Sequence, residues 1–327
     1  MLDRVVTGLV AVPFLLGAAA SPVDKAQVVL SFRDADIVES SGLAVVGGLV
    51  VTTNDSGDTG RVFTVDPETG RTVGVTGWGN DPTDVEALAP LGDHEVWAGD
   101  IGDNTESRDT IQVSPVPVGP GDKDVDAPVY DLAYPDGPHN AETLMSDPTT
   151  GRLYVATKGV LGGTLYAAPA RLSADHVNEL EPLGDVLPIA TDGAFLPDGK
   201  HLVVRNYAAA AVYAFPSMEK VAQLRLPDQP QGEGIAVESD GSTVLLSSEG
   251  VHSDVLRVRL PALPDTASPS PSPSPSSTPS ATPGGQPDQA VDAPPTAQEE
   301  RPLWPWLLGG LIGLGCVVVL VRSLRPR

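Results

Sequence analysis

The sequence predicts an all-β protein built around a five-bladed β-propeller, and three observations predict it. Across residues 27–262, short β-rich runs alternate with turns of Gly, Pro, Asp and Asn, with one short helical pattern at Ser173 to Leu180. One unit recurs along the chain: a strand opening on a polar or acidic residue, a small residue and an apolar one, then a turn, a second strand and a third. The opening positions 41, 86, 142, 192 and 233 stand 45, 56, 50 and 41 residues apart, which is the chain a four-stranded blade consumes. Further strands within 119–140 or 170–190 would raise the count to six. An open β-sandwich is the competing architecture, and the repeat argues against it.

QVVLSF at 27–32 is a strand with no blade before it. The first copy of the repeat is Ser41-Gly42-Leu43-Ala44, then LVVTTND and RVFTVD. The second is Glu86-Ala87-Leu88-Ala89, EVWAGDIGDN and IQVSPVPV; the third is Glu142-Thr143-Leu144, RLYVATKG and TLYAAP. The fourth is Asp192-Gly193-Ala194, HLVVRNY and AVYAFP; the fifth is Glu233-Gly234-Ile235-Ala236, TVLLSSEG and VLRVRL. A fourth strand precedes each later copy, as TVGVTGW, PVYDLAY, DVLPIA and VAQLRL. Pro197-Asp198-Gly199, Ser239-Asp240-Gly241 and the longer Asp147-Pro148-Thr149-Thr150-Gly151 are hairpin turns between first and second strands. The last copy lacks an outer strand. Pairing it with QVVLSF closes the ring and removes both exposed edges.

The chain ends read as membrane signals. Residues 1–20 carry Arg4 beside Asp3, an apolar run from Val5 to Ala18, and Ala18-Ala19-Ala20 for cleavage, which together make a secretory signal; an uncleaved anchor is the alternative. Leu303 to Val321 is a 19-residue run without charge, about the length that crosses a bilayer core. Trp304 and Trp306 flank it on one side, and Arg322, Arg325 and Arg327 on the other, which places the C-terminus in the cytoplasm. Within it, Cys316 is a small apolar residue, and Gly309 and Gly313 fit either a dimer face or ordinary transmembrane glycine usage. Ser268 to Pro275 reads SPSPSPSP, and the surrounding stretch has no apolar periodicity to support packing. Extended as polyproline, such a stalk reaches on the order of 100 Å, and its composition suits O-glycosylation. The expected order is a signal peptide at 1–20, the propeller at 21–262, a disordered stalk at 263–302, a transmembrane helix at 303–321 and a basic cytoplasmic tail at 322–327. That describes a single-pass cell-membrane protein with its N-terminal domain outside.

Composition excludes several classes of function. Of 327 residues, 43 are Asp or Glu and 20 are Lys or Arg, a formal charge of −23. Residues 301–327 hold four arginines and no acid, and Asp3 balances Arg4, so residues 21–300 carry −27. Such a surface attracts cations and argues against nucleic acid, which needs a basic face. One cysteine rules out an internal disulfide or a zinc site built on cysteine pairs. There is no G-x-S-x-G elbow, P-loop, H-E-x-x-H or EF-hand loop, and the five histidines are scattered.

Blade topology gathers two sets of residues at one mouth of the central channel. Glu39, Asp84, Glu86, Glu142, Asp192 and Glu233 enter the inner strands. Asn54, Asp55, Asp58, Asp100, Asp103, Asn104, Lys158, Arg205, Asn206 and Glu249 end the second strands. Carboxylates crowded near one axis must retain protons or bind a cation, and oxygen donors favour Ca²⁺. Asp55 and Asp58 in NDSGD, with Asp100, Asp103 and Asn104 in GDIGDN, are the metal candidates; turn stabilisation is the competing role. Lys158 and Arg205 occupy the same repeat position as acids. They suit either a bound phosphate or carboxylate, or structural pairing with the acidic ring.

The motifs NDSGD, GDIGDN, NAETL, TDGAFLPDG and QGEGIAV resemble those of secreted actinobacterial β-propeller proteins, and E-G-[IL]-A resembles phytase-like, esterase-like propellers. The resemblance spans roughly 30–262. It implies Ca²⁺-assisted ester hydrolysis, with Glu86, Glu142 and Glu233 as metal ligands or bases and Lys158 and Arg205 holding phosphate. The few basic residues weigh against a polyanionic substrate. The sequence therefore favours a cell-surface binding or scaffold propeller, stabilised by Ca²⁺ and engaging an envelope protein or a small molecule. A Ca²⁺-dependent hydrolase of phosphate or other esters is the alternative.

Overall fold

The computed structural model of the protein describes residues 26–263 except Ser56 and Asn80. The expected signal peptide, transmembrane helix and cytoplasmic tail lie outside the described residues, as does the stalk beyond Leu263. Among the described residues no helix is long and apolar enough to cross a membrane.

The strands form five antiparallel blades, as the repeat predicts. Blade I runs from the channel outward as β2 (Ser40–Val46), β3 (Leu49–Asn54), β4 (Arg61–Val65) and β5 (Thr72–Trp78). Blade II is β6 (Val85–Leu91), β7 (Glu95–Asp100), β8 (Ile111–Pro117) and β10 (Tyr130–Ala133). Blade III is β11 (Ala141–Ser146), β12 (Leu153–Thr157), β13 (Gly163–Ala167) and β15 (Glu181–Val186). Blade IV is β16 (Asp192–Phe195), β17 (His201–Arg205), β18 (Ala209–Ala214) and β19 (Glu219–Arg225). Blade V is β20 (Gly232–Val237), β21 (Thr243–Ser248) and β22 (Asp254–Arg259), completed by β1 (Gln27–Ser31) from the start of the propeller. β1 pairs antiparallel with β22, Gln27 opposite Arg257 and Ser31 opposite Asp254. This is the ring closure expected from the unpaired first strand.

The segments 119–140 and 170–190 do hold extra strands, but these widen blades rather than add one. β9 (Lys123–Val125) lies parallel to β5 at the outside of blade I, and β14 (Asn178–Glu179) lies parallel to β10 at the outside of blade II. The short helical pattern at Ser173 to Leu180 forms no helix. An eight-residue pattern is too short to nucleate alone, and buried Asn178 takes over the local backbone: its Oδ1 accepts the Ser173 N–H, and its Nδ2 donates to the Ser173 and Asp131 carbonyls. The strand expected at 185–190 ends at Val186, before Pro188.

The core is divided into five apolar wedges, one between each pair of neighbouring blades. Phe63 and Val50 of blade I meet Leu245 and Val255 of blade V, with Leu30 and Phe32 of the returning N-terminal segment in the same wedge. Tyr154 and Leu165 of blade III meet Leu202 and Tyr213 of blade IV. At the second position of the repeat in blades I and V, the neighbouring chain approaches so closely that no side chain fits. A Cβ on Gly42 would stand 2.6 Å from the Leu88 nitrogen, and one on Gly234 would stand 2.4 Å from Ser247 Oγ and 2.7 Å from Leu43 Cβ. Hence the glycine in the second position of the repeat in blades I and V. Strand direction also fixes the two faces. The loops joining second and third strands open on one face. β1 begins and β22 ends on the other, so both ends of the described chain leave opposite those loops.

Leu30→Ala is expected to cost about 2–4 kcal/mol by leaving a cavity in the closing wedge. Gly42→Ala is expected to cost about 1–3 kcal/mol by overpacking against backbone that cannot yield. Val28→Ala, on the exposed side of β1, should stay within about 0.5 kcal/mol. Urea unfolding midpoints at constant slope measure all three.

Candidate functional site

The first residue of each repeat sits where its inner strand reaches the loop-bearing mouth of the channel. In four blades the pairing register slips there, between Ser40 and Leu43, Val85 and Ala87, Ala141 and Thr143, and Gly232 and Ile235. A bulge of this kind inserts a residue and re-aims its side chain. The residues so displaced are Ser41, Glu86, Glu142 and Glu233. Blade IV keeps regular register, with Asp192 opposite Arg205. Asp192 accordingly turns into the protein: it is fully buried and accepts the N–H groups of Gly193 at 2.7 Å and Ile235 at 2.8 Å.

Asp55, from the β3–β4 loop, joins the carboxylates of two blades. One oxygen each from Asp55, Asp84 and Glu86 lie within 4.8 Å of one another, and the same holds for Asp55, Glu233 and Glu249. Ser41 Oγ donates to Glu86 Oε2 at 3.0 Å, and Gln231 Nε2 donates to Glu249 Oε1 at 2.7 Å. Asp84 Oδ1 is shut off from solvent and accepts no hydrogen bond. Beside the cluster, Lys158 Nζ pairs with Glu142 and donates to Tyr207 Oη at 3.1 Å, and Tyr207 Oη donates to Glu233 Oε1 at 3.4 Å.

Crowding moves the titrations of these groups. Burial, then the charges of Asp55 and Asp100, raise Asp84 to about 6. Burial, then Glu142 and Glu249, raise Glu233 to about 8. Burial and the neighbouring Glu142 push Glu86 up strongly, and burial also pushes Glu142 up against the opposing pull of Lys158. Glu249 is raised by burial and then by Glu39 and Asp55. The Asp55 charge acts on all five groups, which makes it the hub of the repulsion. Lys158 is raised because Glu142 outweighs the cost of burying an ammonium.

Of the five residues expected to hold a metal, the structure brings Asp55 into this cluster and commits the other four to other partners: Asp58, Asp100 and Asp103 to their own loops, and Asn104 to Asn140 at the entry to blade III. Asp58 accepts Arg61 Nε at 2.8 Å and Asn54 Nδ2 at 2.6 Å, and these partners hold its carboxyl low against the effect of burial. Asp100 accepts the N–H groups of Thr83 and Asp84 and pairs with Arg108 at 2.8 Å. Asn54 does the same work in blade I, accepting the N–H groups of Val38 and Glu39. Asp103 accepts the Ser107 and Arg108 amides at 2.7 Å each, and Asn104 Oδ1 accepts Asn140 Nδ2. Of the expected catalytic residues, Glu86, Glu142, Glu233 and Lys158 converge at the mouth. Arg205 is sealed beneath it, fully buried, donating to the Gly234 and Ser247 carbonyls, and burial lowers its pKa to about 10. Asn206 binds its own loop, accepting the Ala208 and Ala209 N–H groups. Tyr207 was not among the expected site residues; its signal is an aromatic one residue beyond the repeat position that ends the second strand.

The donor set consists of carboxylate oxygens alone, one of them, among the described residues, sealed without a partner, and acidic groups so placed could hold a metal ion.

No family model matches the chain, and no curated protein matches it. Similar solved structures include the glutaminyl cyclase of Myxococcus xanthus, 13% identical over 74% of this chain and 100% of that one, with a TM-score of 0.47. They also include a gluconolactonase from Xanthomonas campestris, 11% identical over 74% of this chain and 99% of that one, with a TM-score of 0.44. Likeness at this level assigns no activity to the present chain.

Raised carboxylate pKa values mean that the folded state holds protons the unfolded chain has released. Their contribution to stability is therefore present at low pH and lost as pH rises through the folded values. The metal-free protein should melt progressively lower between about pH 5 and pH 8.5, across the interval from ordinary carboxylate values to those of Asp84 and Glu233. Asp55→Asn should flatten that slope and raise the melting temperature at pH 8. Scanning calorimetry in chelator-treated buffer measures both.

Proposed function

We propose that this protein is a cation-dependent binding propeller of the cell surface, with Ca²⁺ held at the acidic mouth of its channel. The observation that supports this most is the position of Asp55, whose carboxylate stands within reach of Asp84 and Glu86 on one side and of Glu233 and Glu249 on the other. A bound divalent ion would neutralise the mutual repulsion of these groups and offer a positive centre to an oxygen-bearing ligand. Glu142 holds Lys158 beside that centre, and Tyr207 orients the ammonium through its hydroxyl. The rest of the proposal comes from the sequence: export by residues 1–20, a stalk at 263–302 and a membrane helix at 303–321, which would hold the propeller outside the cell for an envelope protein or a small molecule.

A second reading is a Ca²⁺-dependent hydrolase of phosphate or other esters, in keeping with the phytase-like motifs. Lys158 favours it, because a fixed cation beside a metal site suits an ester oxygen. In that reading the ion would polarise the ester, Lys158 would position it, and Glu142 or Glu233 would handle the proton. Arg205 would support the inner strands rather than touch substrate, since it is closed to solvent.

Titration calorimetry of the metal-stripped protein with Ca²⁺ tests the leading proposal. Saturable binding in the micromolar to millimolar range is expected, with a rise in melting temperature, and Asp55→Asn should abolish both. Absence of heat and of any thermal shift would remove both readings. Turnover of p-nitrophenyl phosphate or acetate that is lost on chelation and in Glu142→Gln would favour the hydrolase.

A further inference from the structure

The channel changes character along its length. At the face from which both ends of the described chain leave, opposite the acidic mouth, the inner strands surround a cavity of about 530 Å³. All five inner strands and the turns that follow them line it. The third position of the repeat, apolar in every copy, supplies the lining in four blades as Leu43, Leu88, Leu144 and Ala194. Among the described residues, three carboxylates lie around this cavity and no Lys, Arg or His does. Two of the three are satisfied. Asp147 accepts the Thr149 N–H and hydroxyl and the Thr150 hydroxyl, and Glu238 is paired with Arg257 and Thr243. Asp93 is exposed, and among the described residues its carboxylate has no hydrogen-bond or ion-pair partner.

We propose that this apolar funnel is a second binding site, separate from the acidic mouth, for a small apolar molecule that is neutral or carries one ammonium group. Its volume lies within the range of about 300–1,000 Å³ in which proteins hold small ligands, and its mostly apolar wall with few polar groups is the usual make-up of such sites. Charge selects further. An anion entering here would lose water and gain no counter-charge, whereas an ammonium placed at Asp93 keeps a partner while its apolar body rests on the half-buried Val45, Leu91, Ala194 and Val237.

Three probes that share one ring test this: naphthylmethylammonium, naphthylmethanol and naphthoate, titrated into the full protein and followed by fluorescence and ligand-observed NMR. The ammonium and the alcohol should bind saturably, and the carboxylate at least about tenfold more weakly, a difference of about 1.4 kcal/mol. Asp93→Asn should weaken the ammonium by about two- to fivefold, as expected for an exposed charge pair, and leave the alcohol unchanged. Ala194→Trp, which fills the cavity from a half-buried lining position, should abolish binding of both, and Val45→Trp provides the same plug if the first variant fails to fold. Binding should survive chelation and Asp55→Asn, so that failure here and failure of the cation site are read separately. Absence of saturable binding by any probe, naphthoate binding as tightly as the ammonium, or binding that persists in a folded plug variant would overturn the proposal.

Discussion

The pairing of β1 with β22 is the constraint on which everything else in this propeller depends. Without it, blade V would have three strands, and the wedge between blades V and I would lose Leu30 and Phe32. With the ring closed, each blade is pressed between two others and the inner strands cannot splay. That pressure explains why Gly42 and Gly234 leave no room for a side chain beside the neighbouring strand. It also explains how carboxylates from blades I, II and V, distant in sequence, come within 4.8 Å of one another.

Convergence of this kind opposes folding electrostatically. Asp84, Glu86, Glu142, Glu233 and Glu249 are all raised, and Asp55 contributes to every one of those shifts. A protein that needed only a closed ring would place Ser or Asn at these positions, as blade I does with Ser41. Keeping acids at the bulges of blades II, III and V is a cost in the metal-free state that a bound cation would offset. The same ring carries its stabilising charges elsewhere: Asp192 and Arg205 are buried below the mouth, where backbone amides and carbonyls satisfy much of their hydrogen-bonding capacity.

Much of this was legible in the sequence, for particular reasons. The repeat exposed Glu86, Glu142 and Glu233 because each opens its inner strand at the same position. Asp192 shares that position and still differs, because the bulge that aims the others is missing from blade IV, and register slips leave no compositional trace. The aspartates of GDIGDN and NDSGD resemble metal loops by composition, yet a carboxylate in a tight turn can spend its oxygens on nearby amides, as Asp103 does with Ser107 and Arg108. Of those aspartates, Asp55 is the one brought within reach of carboxylates on other blades. The strands β9 and β14 were too short to separate from loop, and the apparent helix at 173–180 was overridden by the side-chain bonds of Asn178.

The central claim is that one cation site is shared between blades through Asp55. A crystal structure grown with Mn²⁺, examined by anomalous difference density, tests it most directly. The claim predicts a peak between Asp55 and the carboxylates of Asp84, Glu86, Glu233 and Glu249. A peak in the Asp100 to Asn104 loop instead, or none at the channel mouth at saturating metal, would contradict it.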